Sequence, residues 1–518
     1  MMTRPSPALT REPLRSIAWL GVLVAVKVVL VRAMYAHGFL SVSADEFSRG
    51  VQAMEWAAHP TLAWADFLQT WLPPERILNG TALMLWPEPI WAPRLTAFVG
   101  SCVLLVAFHR LVRLLFAPWA VAALASALLV VQPWYAWLSA TPMLESYYLP
   151  LLFLGLGFLV EWLRDDVPGR WLAAALCFLA ASGFHVQSWL VVNLVHVLTL
   201  GILVQAIRRR AWGRVMRLAG VYVISDAFML AIVIGGYVAQ GTPFRFLTLH
   251  TGYSRWFREG YNVSVADKLF FYPRLLAPWI PWSAWILLAL GLALAARAAQ
   301  RRWMLAPALL GIVSLAAYSV FNVSSAPPTA APQRYTLLWT MLALPYVAYG
   351  AYRLCADARA ARPLVRGAAL VAAGALVGLL ASRSLALAAR IPDGLPWSAV
   401  TAGLRLRSLM DAPGADPARR YMVEVRYWDF LAVEVGAAHP GRVAFDRDRD
   451  RERRDAPSLF LQDPDAVRAR LAELGVEWVA LTSPALIERA EAWPWLVRVD
   501  QVQEWTLYVL RPAAGTAD

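Results

Sequence analysis

Charge is scarce in this chain. Only 16% of its 518 residues are Asp, Glu, Lys or Arg, against about 25% in an ordinary soluble domain, and mean hydropathy is +0.50. That combination excludes a wholly soluble globular protein. Cysteine is scarcer still: Cys102, Cys177 and Cys355, each in or beside an apolar run. Three cysteines so placed exclude a disulfide framework and a CxxC metal pair, and read as small hydrophobes. There is no H-E-x-x-H or other zinc signature, no glycine-rich nucleotide motif and no internal repeat. No motif implies a cofactor, and a divalent metal is neither indicated nor excluded. The net charge of +13 invites a nucleic-acid reading until the charges are placed. Residues 1–390 hold 32 basic and 15 acidic side chains, residues 391–518 hold 16 and 20. The basic excess therefore belongs to the hydrophobic part, where cations orient helices and meet anionic lipid, and no nucleic acid is expected as a partner.

What is abundant is long apolar sequence. A membrane-crossing helix needs about 20 mostly apolar residues. Eleven stretches qualify, near 16–36, 94–109, 118–138, 144–163, 171–187, 189–207, 218–238, 277–296, 303–322, 334–352 and 367–387. The first is longer than a signal-peptide core and lacks a clear cleavage site, so it reads as a retained anchor. Arginines gather on alternate connections: Arg4, Arg11 and Arg15; Arg110 and Arg113; Arg164 and Arg170; Arg208 to Arg217; Arg297 to Arg302; Arg353 to Arg366. The positive-inside rule makes these cytoplasmic and, with eleven spans, puts the C-terminal residues outside.

Two outer loops, 37–93 and 239–276, are long and rich in aromatics, including Trp56, Trp64, Trp71, Trp256, Tyr261 and Tyr272. They predict amphipathic helices half immersed at the headgroup level. From about 391 the pattern becomes soluble. RYMVEVR (420–426) alternates as a strand, Asp463-Pro464 opens a capped helix that Gly475 stops, and VEWVALTS and EWTLYVLRP read as further strands. The expected architecture is a polytopic α-helical membrane domain, 1–390, followed by a small extracytoplasmic α/β domain, 391–518. The mixed-sign run at 446–455 reads as a solvated loop.

Several polar residues stand where composition does not ask for them. Asp45-Glu46 follows the first span; Ser43 or Asp45 could cap a helix whose dipole Glu46 favours, or one carboxylate could take a proton from a hydroxyl nucleophile. Glu145, at the outer mouth of the fourth span, faces either a cavity or an ion-pair partner. Arg245, Arg255, Arg258, Lys268, Arg274 and Arg334 lie on the outer side, where the positive-inside rule does not place cations. Singly each is a headgroup contact; as a set among Tyr253, Trp256, Tyr261 and Tyr272 they suit an anionic amphiphile. His185, with Gln187 nearby, is either a hydrogen-bonded structural residue or a ligand. His196 and Asp226 fall deeper in their spans, where interhelical hydrogen bonds are expected.

In their order along the chain, Asp45-Glu46, WLPPERILNGTALML, APRLTAF, MLESYYLPLLF and QRYTLLWTMLALPY make the sequence resemble the GT-C superfamily of integral membrane glycosyltransferases. Within it the chain is similar to bacterial relatives of protein O-mannosyltransferases and aminoarabinose transferases. The resemblance implies a polyprenyl-phosphate monosaccharide donor, inversion at the anomeric carbon, and a glycan, lipid or protein hydroxyl as acceptor. It implies that Asp45 is the general base, that Glu46 or Glu145 positions the acceptor or assists the base, and that Arg94, Arg255, Arg258, Lys268, Arg274 and Arg334 hold the lipid phosphate. His185 and Tyr335 join that donor-binding set. It further implies the bacterial inner membrane, with the active site extracytoplasmic. The tail has no WWD segment, which disfavours an oligosaccharyltransferase. Two other classes fit part of the pattern: a lipid or glycolipid transporter, which would use cationic cavities equally well, and an assembly protein acting through its outer domain, which would leave the acids unexplained.

Overall fold

The computed structural model describes residues 7–62, 71–242, 264–324, 332–358, 363–391, 395–447 and 456–511. The stretches expected to cross a membrane are largely helical, with breaks inside three of them, at Val131 and Gln132, at His185, and at Ile280 and Pro281. The helices are α1 (Pro7–Ala36), α2 (Asp45–Ala58), α3 (Pro74–Leu85), α4 (Trp91–Leu115), α5 (Trp119–Val130), α6 (Pro133–Leu138), α7 (Glu145–Asp165), α8 (Arg170–Phe184), α9 (Val186–Arg208) and α10 (Trp212–Gln240). They continue with the short α11 (Val265–Leu269) and α12 (Phe271–Leu276), then α13 (Trp282–Arg297), α14 (Arg301–Ser324), α15 (Thr336–Ala358) and α16 (Pro363–Ala388). Seven of these are long and apolar enough to cross a membrane, or eight if the bent pair Phe271–Trp279 and Trp282–Arg297 counts as one span. The chain is a multi-pass membrane protein. The expected span at 118–138 is two helices: Val131 ends the first, and the Gln132 side chain accepts the Tyr135 N–H to start the second at Pro133.

The residues fall into two compact units. Unit 1 comprises Met1–His37, Leu62–Glu75 and Ala97–Ile391; unit 2 comprises Gly38–Thr61, Arg76–Thr96 and Pro392–Asp518. In unit 1, spans approach closely where glycines face backbone. A Cβ on Gly291 of α13 would lie 2.0 Å from the Tyr346 carbonyl oxygen, and one on Gly350 of α15 would lie 2.3 Å from that of Leu287. Small residues allow such contact where no hydrophobic force drives helices together. The expected interhelical contact of His196 with Asp226 is present, Nδ1 to Oδ2 at 3.4 Å.

Unit 2 is built on a five-stranded sheet of order β2-β1-β3-β5-β4, with β1 (Arg420–Val423), β2 (Val443–Phe445), β3 (Val476–Leu481), β4 (Leu496–Val502) and β5 (Trp505–Leu510). β1 runs parallel to β2 and β3, while β5 is antiparallel to β3 and β4. Side chains alternate between faces, as the period of two requires. Tyr421, Val423, Trp478, Ala480, Trp505 and Leu507 pack with α17 (Trp397–Met410) and α18 (Asp429–Ala437). Met422, Val479, Leu481 and Tyr508 pack on the other face with α19 (Pro464–Glu473) and α20 (Pro484–Glu491). Asp463 caps α19 by accepting the Asp465 N–H at 2.9 Å, and Gly475 turns out of it with φ +67°. Of the mixed-sign run, Asp446 and Arg447 are described and paired at 3.3 Å; the remainder lies outside the described residues.

The first long loop differs from its expected setting. Phe47, Val51, Ala53 and Met54 of α2 are buried in the same cluster as Phe430, Val433 and Val435 of α18. The amphipathic face of α2 is therefore covered by protein rather than by headgroups. Phe47, Val51 and Met54 each gain roughly 1.5–3 kcal/mol on full burial, enough to hold a short helix that would be marginal alone. On α3, Leu78, Met84 and Leu85 are exposed, as is Trp86 just past its end.

Candidate active site

Unit 2 holds the acidic turn. Asp45 is the first residue of α2, and its backbone N–H donates to Ser43 Oγ at 3.2 Å; the N-cap position is Ala44, so neither Ser43 nor Asp45 is the cap residue. Both acids lie in the first turn, where the helix dipole favours negative charge. Their environments differ. Glu46 is 2% exposed, and Arg94 Nη2 donates to its Oε1 at 3.0 Å. Arg94, 5% exposed, also donates to the carbonyls of Ile90 at 2.7 Å and Leu40 at 3.0 Å. Burial pushes the Glu46 carboxyl up to about 8, outweighing the pull of Arg94, and the nearby Asp45 charge adds to the rise. Asp45 itself is half-buried, and Arg49 follows it by one helical turn with its side chain buried. The geometry makes Glu46 with Arg94 a clamp that ties the start of α2 to the start of α4, with Asp45 the more accessible acid.

Unit 1 holds another buried pair of its own. Glu145 opens α7 and is 1% exposed; Arg334 Nε stands 3.0 Å from its Oε1. Arg334 Nη2 donates to the Tyr335 hydroxyl at 3.2 Å, and Nη1 lies 3.9 Å from the Met143 sulfur. Tyr148, one turn into α7, donates to Gln187 Oε1 at 2.5 Å and stacks on His185 at 5.3 Å between centroids. Tyr335 flanks the same imidazole at 6.3 Å. Among the described residues, Glu145 Oε2, Gln187 Nε2 and the Tyr318 hydroxyl are buried with no hydrogen-bond partner. Unsatisfied buried polar atoms are rare and call for an explanation. A polar ligand would supply their missing partners.

Of the other residues singled out in the sequence, His185 takes an extended conformation between α8 and α9 and its Nδ1 accepts the Gln187 N–H at 3.0 Å, the structural alternative for this residue. Arg274 pairs with Asp267 at 2.5 Å, and this contact holds the Asp267 carboxyl below the usual carboxylate range. Lys268 is half-buried, and its carbonyl accepts from Asn322 Nδ2 at 2.7 Å. Arg245, Arg255 and Arg258, with Tyr253, Trp256 and Tyr261, lie outside the described residues. Tyr272 is buried in an aromatic cluster with Tyr318 and Trp339. Among the described residues, no group of three His, Cys, Asp or Glu is placed to hold a metal ion.

One buried cation was not anticipated. Lys27, in the middle of α1, is 1% exposed and donates to Ser101 Oγ and to the Tyr135 hydroxyl. Its ammonium lies 4.6 Å from the Tyr135 ring centroid and 4.9 Å from that of Phe98. It also reaches Cys102 Sγ at 3.8 Å, so that thiol is an acceptor as well as packing volume. A lysine in the centre of an apolar run is itself the signal that finds it. Tyr148 and Tyr318 carried no such mark, because tyrosine is common at membrane interfaces.

No family model matches the chain, and neither does any curated protein. Solved structures do. ArnT from Cupriavidus metallidurans superposes in its apo state with a TM-score of 0.59 and in its undecaprenyl phosphate-bound state with 0.60. Both share 14% identity and cover 95% of this chain and 98% of theirs. The archaeal oligosaccharyltransferase AglB from Archaeoglobus fulgidus, in complex with an inhibitory peptide and a dolichol-phosphate, gives a TM-score of 0.52 at 12% identity over 90% of this chain and 69% of its own. This chain therefore shares the fold of these proteins.

Proposed function

We propose that the protein is an inverting glycosyltransferase that moves a monosaccharide from a polyprenyl-phosphate donor to a hydroxyl acceptor on the extracytoplasmic side of a bacterial inner membrane. The observation that carries the reading is the division of roles within the acidic turn. Glu46 is 2% exposed and accepts from Arg94, whereas Asp45 is half-buried and the more accessible of the two, in a chain that shares the fold of ArnT. Asp45 takes the proton from the acceptor hydroxyl as its oxygen attacks the anomeric carbon; the lipid phosphate leaves with the bonding electrons. Proton removal of this kind contributes about 10²–10⁴-fold. Arg94 holds the acidic turn in place. Arg334, with Lys268, Arg274, Arg255 and Arg258, supplies the cations that meet the departing phosphate, where fixed positive charge gives its largest effect. Glu145 orients Arg334. The ArnT structure, matched over 98% of its length, is bound to undecaprenyl phosphate, the donor's leaving group in this reading.

The test is bond cleavage. Purified protein incubated with a labelled polyprenyl-phosphate sugar and a crude membrane acceptor extract is expected to release polyprenyl phosphate and label an acceptor. If labelled lipid crosses the bilayer of a reconstituted vesicle with the sugar still attached, and no donor in a broad panel is cleaved, the protein is a transporter and the assignment falls.

A further inference from the structure

Unit 1 contains a cavity that the proposed transfer does not use. It measures about 470 Å³, and its wall is almost wholly hydrocarbon, including Leu111, Leu159, Val195, Ile202, Leu310 and Leu342. These come from α4, α7, α9, α14 and α15, so the space lies among spans. At a rise of 1.5 Å per residue, Leu159 is roughly 20 Å along α7 from Glu145. The cavity is thus at the other end of the bundle from the Glu145–Arg334 pair.

The polar group that distinguishes this cavity from a plain packing defect is Arg302. It lines the cavity, is exposed, and sits 5.4 Å from the centroid of the neighbouring Trp303 ring. Acids at this end of the bundle already have partners: Glu161 pairs with Arg110 and Arg170, Asp165 with Arg164, and Asp166 with Arg217. Among the described residues no carboxylate pairs with Arg302, and Arg297 and Arg301 stand close to it in sequence. A hydrocarbon-lined space with an arginine fork and an indole at its edge matches one chemistry, an alkyl chain joined to a phosphate at the membrane surface. Arginine suits phosphate oxygens through its planar donors, and tryptophan favours the headgroup level.

We propose that this cavity holds an acyl chain of an anionic glycerophospholipid whose phosphate rests on Arg302. The lipid comes from the leaflet opposite the Glu145–Arg334 end, and it fills the space between α7, α9 and α14 that no side chain fills. The proposal does not depend on the transferase reading.

It is tested on the full-length protein in phosphatidylcholine nanodiscs carrying either phosphatidylglycerol or phosphatidylcholine with a photoactivatable group at the acyl-chain end. After irradiation and peptide mapping, the phosphatidylglycerol probe is expected to label peptides bearing Leu159, Ile202 and Leu310 several-fold more than the phosphatidylcholine probe. Arg302→Gln brings the two probes level. Leu198→Trp, which fills the cavity, removes the label from both; should that variant fail to fold, the exposed Arg302→Gln change still decides the matter. Equal labelling of the wild type by both probes, or a preference that survives Arg302→Gln, overturns the proposal. So does displacement of the phosphatidylglycerol label by undecaprenyl phosphate, which would give the cavity to a polyprenyl tail.

Discussion

Glu46 with Arg94 and Glu145 with Arg334 are the same two residue types, each pair buried and each 3.0 Å apart. Their surroundings differ. Arg94 directs further N–H groups to the main-chain carbonyls of Leu40 and Ile90 and lies 5.9 Å from the centroid of the Phe47 ring. Arg334 meets a phenol and a thioether, and among the described residues Gln187 Nε2 and the Tyr318 hydroxyl lie buried without a hydrogen-bond partner; Glu46 Oε2 and Glu145 Oε2 share that condition and do not separate the two pairs. Backbone carbonyls fix an arginine in one place, whereas side-chain partners can be exchanged for a ligand. The same two residue types therefore form a clamp held by main-chain carbonyls in unit 2 and a pair met only by side chains in unit 1.

Five substitutions would break or sharpen that contrast. Removing the clamp should have the largest effect on stability. Arg94→Met leaves Glu46 Oε1 and the carbonyls of Leu40 and Ile90 without a donor, at roughly 1–3 kcal/mol for each buried group left unsatisfied. Denaturant titration in detergent should register the loss. The pH dependence of stability comes next, and its sign follows from the raised Glu46 pKa. Between its ordinary value near 4.5 and about 8 the folded state holds a proton that the unfolded state has released. Stability should therefore fall as pH rises through that window and level off above it. Glu46→Gln should flatten the profile there, and an unchanged slope would show that another group sets it.

In unit 1 the expected readout is activity. Arg334→Lys keeps the charge but loses the planar fork, and transfer should fall on the order of 10²-fold with little change in melting temperature. Arg94→Lys should do the reverse, lowering the melting temperature more than turnover per folded molecule. The smallest effect is expected at a helix crossing. A Cβ on Gly403 would come within 2.1 Å of the Val433 carbonyl oxygen, so Gly403→Ala should cost about 1–3 kcal/mol of stability as α17 is forced away from α18. A stability unchanged by that substitution would mean the two helices part without strain.

Much of the helical part was legible because hydrocarbon runs and arginine placement act locally along the chain. The cap at Asp463 and the stop at Gly475 were legible for the same reason, each depending on a few neighbouring residues. What was not legible is who covers whom. The pattern of α2 announces an apolar face, but periodicity is silent on whether lipid or Val435 lies against it. Both members of each arginine–glutamate pair stood out in the sequence, yet their pairing spans 48 residues in one case and far more in the other, beyond any local rule. Gln187 was noticed only as a neighbour of His185, and Tyr148 and Tyr318 not at all; their significance comes from burial and unmet hydrogen bonds.

The account turns on Asp45 as the base, and the direct measurement is transfer of radiolabelled sugar from a polyprenyl-phosphate donor by wild type and Asp45→Asn, each shown to be folded by its melting temperature. The reading predicts a fall of about 10²–10⁴-fold in acceptor labelling with the melting temperature retained. Wild-type turnover by the folded Asp45→Asn protein would contradict it.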